Sequence, residues 1–210
     1  MKKYFNKSLI LTSLICLFPI LVGILLYDKL PSEIPIHFDF AGNADDYASK
    51  NIAIFLLPLS LVFINILAHL GIDSDPKKQN TPLIIKNIGK WIVPIIAIFI
   101  VPTTFLIAIG IEIKITFIAT IFVSILFIII GNYLPKCKQN YTVGIKVPWT
   151  LNSEENWNKT HRFSGFLFFF VGIILFVSAF LNYFKILLVL IIVVAILPIL
   201  YSFILYKKGI

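Results

Sequence analysis

The sequence predicts an all-α membrane protein of six transmembrane helices. Both termini fall on the inner side, with a small extracellular hairpin between helices one and two and a structured cytoplasmic loop between helices four and five. Three observations carry this fold class. The 210 residues are 59% hydrophobic and 13% charged, with mean hydropathy +0.97, where soluble domains carry about 25% charged residues. Apolar runs of about 20 residues recur, the length that crosses a hydrocarbon core of roughly 30 Å, and backbone in lipid must bond to itself, so they become helices. Finally, the cations gather in alternate loops, which sets the orientation.

The apolar runs lie at about 8–27, 51–71, 91–110, 114–134, 163–182 and 185–206. Lys2, Lys3 and Lys7 ahead of the first run imitate a signal peptide. No small-x-small cleavage site follows, and the run is long enough to span, so it reads as an uncleaved first helix. Gly110-Ile-Glu112-Ile-Lys114 and Asn182-Tyr-Phe-Lys185 are short breaks that make tight hairpins of runs three and four and of runs five and six. With six spans, Lys2, Lys3, Lys7, Lys77, Lys78, Lys86, Lys90, Lys136, Lys138, Lys146, Lys159, Arg162, Lys207 and Lys208 share one side. Only Lys29, Lys50, Lys114 and Lys185 fall on the other. The cation-rich side is cytoplasmic by the positive-inside rule. The same distribution assigns the net charge of +8 to topology and anionic headgroups, and no soluble basic module exists to bind nucleic acid.

The first outer loop, residues 28–50, is patterned. Leu30-Pro31 and Ile34-Pro35 favour extended backbone. Ile36-His37-Phe38-Asp39-Phe40 then alternates apolar and polar as a strand does, and Ala41-Gly42-Asn43 supplies a turn. Asp45-Asp46-Tyr47 follows, so a small acidic hairpin suited to a cationic ligand is expected here. His37 and Asp39 would face the same way on a strand, a weak oxygen–nitrogen metal set against a solvated polar face. Farther on, Asp75-Pro76-Lys77-Lys78 reads as a solvated turn, and Thr81 as the cap of a helix starting at Pro82. Residues 74–90 as a whole read as an amphipathic lead-in to the third span, lying at the inner interface.

The longest interruption of the apolar pattern runs from Gly131 to Gly165 and holds Trp149, Trp157 and the only arginine, Arg162. Ser153 is suited to cap a helix whose first turn carries Glu154 and Glu155 and which continues into the fifth span. On that helix Glu154, Trp157, His161 and Ser164 share one face. Upstream, a turn at Gly144 and a Pro148-Trp149 corner fold a basic, aromatic loop against the membrane surface. Spacing alone leaves three readings open: interfacial anchoring, a partner or ligand surface, and catalysis.

Other chemistry is sparse. Asn65 and His69, one helical turn apart, are placed to bond a neighbouring helix. Cys16 and Cys137 make no disulfide framework. No His-Glu-x-x-His, phosphate loop or Gly-x-Ser-x-Gly occurs, and no acidic residue lies deep within a run, which argues against an ion-coupled relay.

Three motifs taken together resemble a known family: Gly131-Asn132-Tyr-Leu-Pro135; Asn140-Tyr-x-x-Gly144-Ile-Lys146-x-Pro148-Trp149-Thr150-Leu151; and Glu155-x-Trp157-x-Lys159-Thr160-His161-Arg162-x-x-Gly165. This order and spacing is similar to the signature of the SdpI/YfhL family of bacterial membrane proteins, named for immunity to a sporulation-delaying toxin. Leu30-Pro-x-x-Ile34-Pro-Ile36-His37-Phe38, Gly42-x-x-Asp45 and Ser49-Lys50 resemble the domain of unknown function often fused ahead of it. The resemblance implies an N-terminal domain over 1–90 and an SdpI-like domain over 91–210. Lys146-Val147 stands where the family pattern has arginine and threonine, which replaces a bidentate fork by a point charge.

What the resemblance implies is an immunity protein of the bacterial cell membrane, not an enzyme, without cofactor or metal. Its partners would be lipids, a secreted membrane-active peptide toxin and a cytoplasmic autorepressor held at the membrane. An inner partner site is expected at Asn132, Asn140, Gly144, Lys146, Pro148, Trp149, Thr150, Trp157, Thr160 and His161, and an outer one at His37, Phe38, Gly42 and Asp45. The rivals are a small transporter or peptide extruder with a polar path along Asn65, Thr103 and Thr104, a membrane enzyme using His161 with Glu154 or Glu155, and a purely structural interaction protein.

Overall fold

In a computed structural model, residues 7–39 and 41–210 are described; Lys2, Lys3 and Phe40, used in the readings above, lie outside the described residues. The described residues are mostly helical, and among them are six helices long and apolar enough to cross a membrane: Lys7–Leu25, Ile52–Ser74, Leu83–Ala108, Ile115–Lys136, Glu154–Phe180 and Ile186–Lys207. Large apolar side chains such as Leu14, Phe63, Phe99 and Leu181 point outward at 50% exposure or more, as lipid-facing residues do. Two compact units form, one from Met1–Asp73 with Asn87–Thr116, the other from Ser74–Lys86 with Phe117–Ile210.

In the first unit, α1 (Lys7–Cys16) and α2 (Phe18–Leu25) are one span broken at Leu17. Pro19 in the first turn of α2 has no N–H to give, and short bonds from Leu17 N to Leu14 O and from Ile20 N to Leu17 O replace the regular ladder. A hairpin of β1 (Glu33–Phe38) and β2 (Ala44–Ser49) follows. A π-helical turn, Ile52–Leu56, then enters α3 (Leu57–Ser74). Its wider bonding suits Pro58, which cannot donate to the preceding turn. Leu30, Ile34, Ala53 and Ile54 pack with Val101 and Phe105 of α4 (Leu83–Ala108).

The second unit contains α5 (Ile115–Tyr133), the short α6 (Pro148–Asn152), α7 (Glu154–Phe180) and α8 (Ile186–Lys207). Its core is Val171 and Leu175 against Val194. Helices α5 and α7 touch through glycine: a Cβ on Gly131 would collide with the Phe169 backbone nitrogen, and one on Gly172 would lie 2.8 Å from Ile128 N. Small residues let helix backbones approach where lipid supplies no hydrophobic drive.

The spans differ from the apolar runs chiefly at their polar ends. The third begins at Leu83 and the fifth at Glu154, because the polar turns 83–90 and 154–162 are helical continuations of the spans, as expected for the helix that follows Ser153. The turn at 75–78 forms with Pro76 exposed, but its Asp75 is not solvated: it is 6% exposed, since the 131–165 loop folds over it. Helix α4 starts one residue later than expected, at Leu83.

Candidate functional site

The 131–165 segment is built around α7. Ser153 caps this helix as expected, its hydroxyl accepting from Asn156 N at 3.2 Å, with Glu154 and Glu155 in the first turn. The buried face of α7 carries Asn156, Trp157, Thr160, His161, Ser164 and Gly165. Glu154 does not join that face; it is exposed, and Glu155 pairs with Lys159 at 2.8 Å. Helical spacing aligns residues along a face but does not say how far the covering loop reaches, and here the cover stops short of the first turn.

Trp157 is the centre of the site. Its indole N–H donates to the Cys137 carbonyl at 2.7 Å, and its ring stacks on His161 with centroids 3.9 Å apart. Ile145 N–H donates to His161 Nε2 at 3.1 Å, so this nitrogen is the acceptor and Nδ1 carries the hydrogen that meets Trp157 O at 2.8 Å. Both imidazole nitrogens are therefore committed. Gly144 lies across the His161 edge at φ +121°, a conformation open to glycine alone, and a Cβ there would collide with Nε2.

The turn that follows Cys137 is tied by side chains. Asn140, fully buried, accepts from Thr142 N at 3.0 Å and Val143 N at 2.7 Å, and donates to Lys138 O at 3.0 Å. Thr150 closes the next turn, accepting from Val147 N at 3.1 Å and lying 2.8 Å from Ile145 O. Pro148 opens α6 at its first position, where its missing N–H costs nothing. Lys146 donates to Tyr141 O at 3.1 Å and Thr142 O at 2.8 Å, so its ammonium stays with the loop's own carbonyls. Trp149 donates to Ser202 Oγ at 2.7 Å and packs on Phe203 and Tyr206. Burial pushes the Cys137 thiol up to about 11, which leaves it an inert small apolar group.

The structure thus brings together Asn140, Gly144, Thr150, Trp157, Thr160 and His161, largely as interior scaffold. Asn132 is exposed on α5 and does not join them. Lys146 and Pro148 are exposed on the loop, beside Tyr141, over whose ring Lys77 Nζ sits at 5.2 Å.

Four participants were not foreseen. Asp75 accepts from Lys77 N at 2.7 Å, Tyr141 N at 3.0 Å and the Thr142 hydroxyl at 2.7 Å. Burial alone would raise its pKa, but the Thr142 hydroxyl and these backbone donors hold the carboxyl below its ordinary range. Asn80 donates to Gln139 O at 2.7 Å, and Gln139 donates to Thr150 O and Leu151 O at 3.0 and 2.7 Å. Asn156 donates to Ser202 O at 3.0 Å and Ile210 O at 3.1 Å, tying α7 to the end of α8. Replacing Asn156 by leucine leaves those carbonyls and the Thr160 hydroxyl without their partner, and is expected to cost about 1–3 kcal/mol, read as a lower midpoint of thermal unfolding in detergent.

At the other candidate site, the hairpin pairs antiparallel, with register shifts between Pro35 and Phe38. That irregularity undoes the expected alternation, so His37 and Asp39 do not form a pair. His37 Nδ1 instead meets Asp45 Oδ1 at 2.6 Å across the hairpin, both side chains exposed. Asp39 turns back to accept from Ala41 N and Asn43 N, each at 2.8 Å. Those donors, Asn43 first, lower the Asp39 pKa. Gly42 forms the turn, and Phe38 is half-buried.

Comparison with known proteins covers both sites. The SdpI/YfhL protein family is matched over residues 136–202, and a domain of unknown function, DUF1648, over residues 14–62. The "Immunity protein SdpI" of Bacillus subtilis (strain 168) is 31% identical over 208 residues, covering 97% of each chain. No solved structure matches.

Proposed function

This chain belongs to the SdpI/YfhL family as a multi-pass membrane protein, and from that membership we propose that it is an immunity protein of the bacterial cytoplasmic membrane. It protects the cell against a secreted membrane-active peptide toxin and captures a cytoplasmic repressor at its inner face. The observation that carries this reading is the end-to-end similarity to an immunity protein, which takes in both the hairpin and the 131–165 loop. The excess of lysine at the termini and in the 75–90 and 136–162 segments supports an inner location for that loop, with the hairpin outside. In this reading 1–90 and 91–210 are two sequence modules, and the matched stretches 14–62 and 136–202 fall one in each, although the compact units divide the chain differently.

In this reading His37, Phe38, Gly42 and Asp45 face the toxin. Asn140, Gly144, Thr150, Trp157, Thr160 and His161 hold the inner loop in shape, and Asn132, Lys146, Pro148 and Trp149 meet the repressor. Catalysis has no support from the geometry, because His161 has both ring nitrogens bonded and Glu154 is exposed away from it. A transport path along Asn65, Thr103 and Thr104 has little support either. The threonine hydroxyls are bonded to their own helix, at Phe99 O and Val101 O, 2.6 and 2.8 Å away.

The test is survival of sensitive bacteria exposed to a panel of membrane-active peptide toxins, with and without the expressed protein at matched membrane levels. Protection against at least one toxin is expected. Wild-type protein that protects against none removes the immunity reading. Co-purification of a DNA-binding repressor with membranes after toxin exposure tests the second half.

A further inference from the structure

The first unit holds an apolar cavity of about 220 Å³ between the hairpin, α3 and α4. Ile36 of β1 lines it, with Ala53, Leu57 and Leu61 along one wall and Ile96 and Phe105 along another. The separation of Ala53 and Leu61 gives it a length of about 12 Å along the helix. Thr104 also borders it, but its hydroxyl is spent on Val101 O at 2.8 Å, which leaves the wall apolar. The volume exceeds the roughly 150 Å³ of an apolar cavity that accepts benzene. It falls below the roughly 300 Å³ at which pockets for whole small ligands begin. This is room for one large apolar side chain.

Around this cavity the backbone departs from regular bonding. In the hairpin ladder Pro35 pairs with Tyr47 and His37 with Asp46, so Ile36 is an extra residue on β1 with no partner opposite. A bulge of this kind re-aims its side chain, and that of Ile36 lines the cavity. The next pair is Phe38 with Ala44, which makes Asp45 the extra residue on β2. Its carboxylate stands exposed beside His37 Nδ1. Across the cavity, Ala53 belongs to the π-helical turn Ile52–Leu56, and single π turns recur at functional sites.

The charge of the hairpin selects the guest. Residues 33–49 carry Glu33, Asp39, Asp45 and Asp46 and no lysine or arginine. Of the flanking lysines, Lys29 and Lys50, the second is held at Tyr27, its Nζ 2.9 Å from the carbonyl oxygen and 4.6 Å from the ring centroid. Asp46 lies one step along the ladder from Ile36, paired with His37, and Asp45 follows it. A phospholipid tail in the cavity would bring its phosphate towards these carboxylates, whereas a basic side chain is drawn to them.

We propose that this cavity receives one large apolar side chain of a cationic peptide, whose basic residues meet Asp45 and Asp46. The inference rests on the reading of the hairpin as the toxin-facing site and deepens it, by naming the chemistry of the ligand and adding the cavity to the site. The two contacts divide the work. A buried anchor supplies most of the affinity. The exposed carboxylates contribute little individually but attract a cation over a Debye length, and they repel an anionic guest.

The test uses the full-length protein in phosphatidylcholine nanodiscs and a synthetic amphipathic peptide of leucine and lysine, with one photoreactive benzoyl-phenylalanine on its apolar face. After irradiation, cross-links located by mass spectrometry are expected at Ile36, Leu57 or Ile96. Ala53→Met, which fills the cavity, is expected to lower that labelling several-fold. The Asp45→Asn/Asp46→Asn double variant leaves the cavity as it is and is also expected to lower labelling several-fold, so the outcome does not depend on Ala53→Met folding. Added salt should lower labelling of the wild type and much less that of the double variant. Cross-links spread over the lipid-facing helices, or equal cavity labelling by a peptide with glutamate in place of lysine, overturn the proposal. A phosphatidylcholine with a diazirine in its tail that labels the cavity and is not displaced by the peptide makes it a lipid site and overturns it too. Toxin survival is read separately. Protection without cavity labelling removes this inference and leaves the immunity reading; cavity labelling of a protein that protects against no toxin leaves a peptide site and removes the immunity reading.

Discussion

Gly144→Val is expected to abolish toxin protection and to destabilise the second unit by roughly 3–5 kcal/mol, in the range of strained or overpacked buried positions. Two costs combine. The backbone at φ +121° excludes a side chain on conformational grounds, worth about 1–3 kcal/mol. The new Cβ also collides with His161 Nε2 and would lie 3.1 Å from the Trp157 ring. Neither neighbour gives way cheaply. His161 is bonded at both nitrogens and stacked on Trp157, whose indole is bonded to Cys137 O. Alanine should do almost as much damage as valine, because the first carbon already collides. Thermal unfolding followed by tryptophan fluorescence, alongside the survival assay, checks both variants. A Gly144→Ala protein with wild-type stability and protection would show that the loop relaxes around this position.

The sequence made this position visible but not its neighbours. A glycine in a polar, aromatic loop announces a turn, and Ser153 followed by two glutamates announces a helix start; both are local signals and both hold in the structure. The spans were legible for the same reason, since apolar length is a property of consecutive residues. Asp75, Asn80, Gln139 and Asn156 were not. Their partners lie far off along the chain, such as Tyr141 for Asp75 and Ser202 for Asn156. An Asp-Pro-Lys-Lys run looks like a solvated turn until something folds over it. The hairpin shows the opposite limit: the alternation over Ile36–Phe40 points to a strand, yet β1 ends at Phe38 with Asp39 outside it, and the register shift after Pro35 directs His37 to Asp45. Burial likewise reversed the roles given to Trp157 and His161, which the residue types cast as a surface and the packing makes a core.

The carboxylate of Asp75 is the second place where one atom group should have a large effect. Asp75→Ala leaves the Lys77 and Tyr141 N–H groups and the Thr142 hydroxyl without an acceptor. Buried donors so orphaned should together cost about 2–4 kcal/mol. Asp75→Asn keeps one acceptor oxygen and should cost about half as much. The ionised form is the one these donors stabilise, and the folded pKa is lowered. The contribution is therefore complete above the unfolded carboxylate value of about 4 and is lost as pH falls through the folded value. The share of stability that Asp75 supplies, read as wild type minus Asp75→Asn, should hold level from neutral pH to about pH 5 and then shrink in acid. Unfolding midpoints measured across that range decide it, and an acid limb of equal depth in the two proteins would remove Asp75 as the latch. If the latch holds, the loop that carries Tyr141 and Lys146 is positioned by the connection after α3 as much as by α7. A partner that reads this loop then reads a surface composed from two distant stretches of chain, and losing Asp75 should weaken the proposed repressor capture with every loop residue intact.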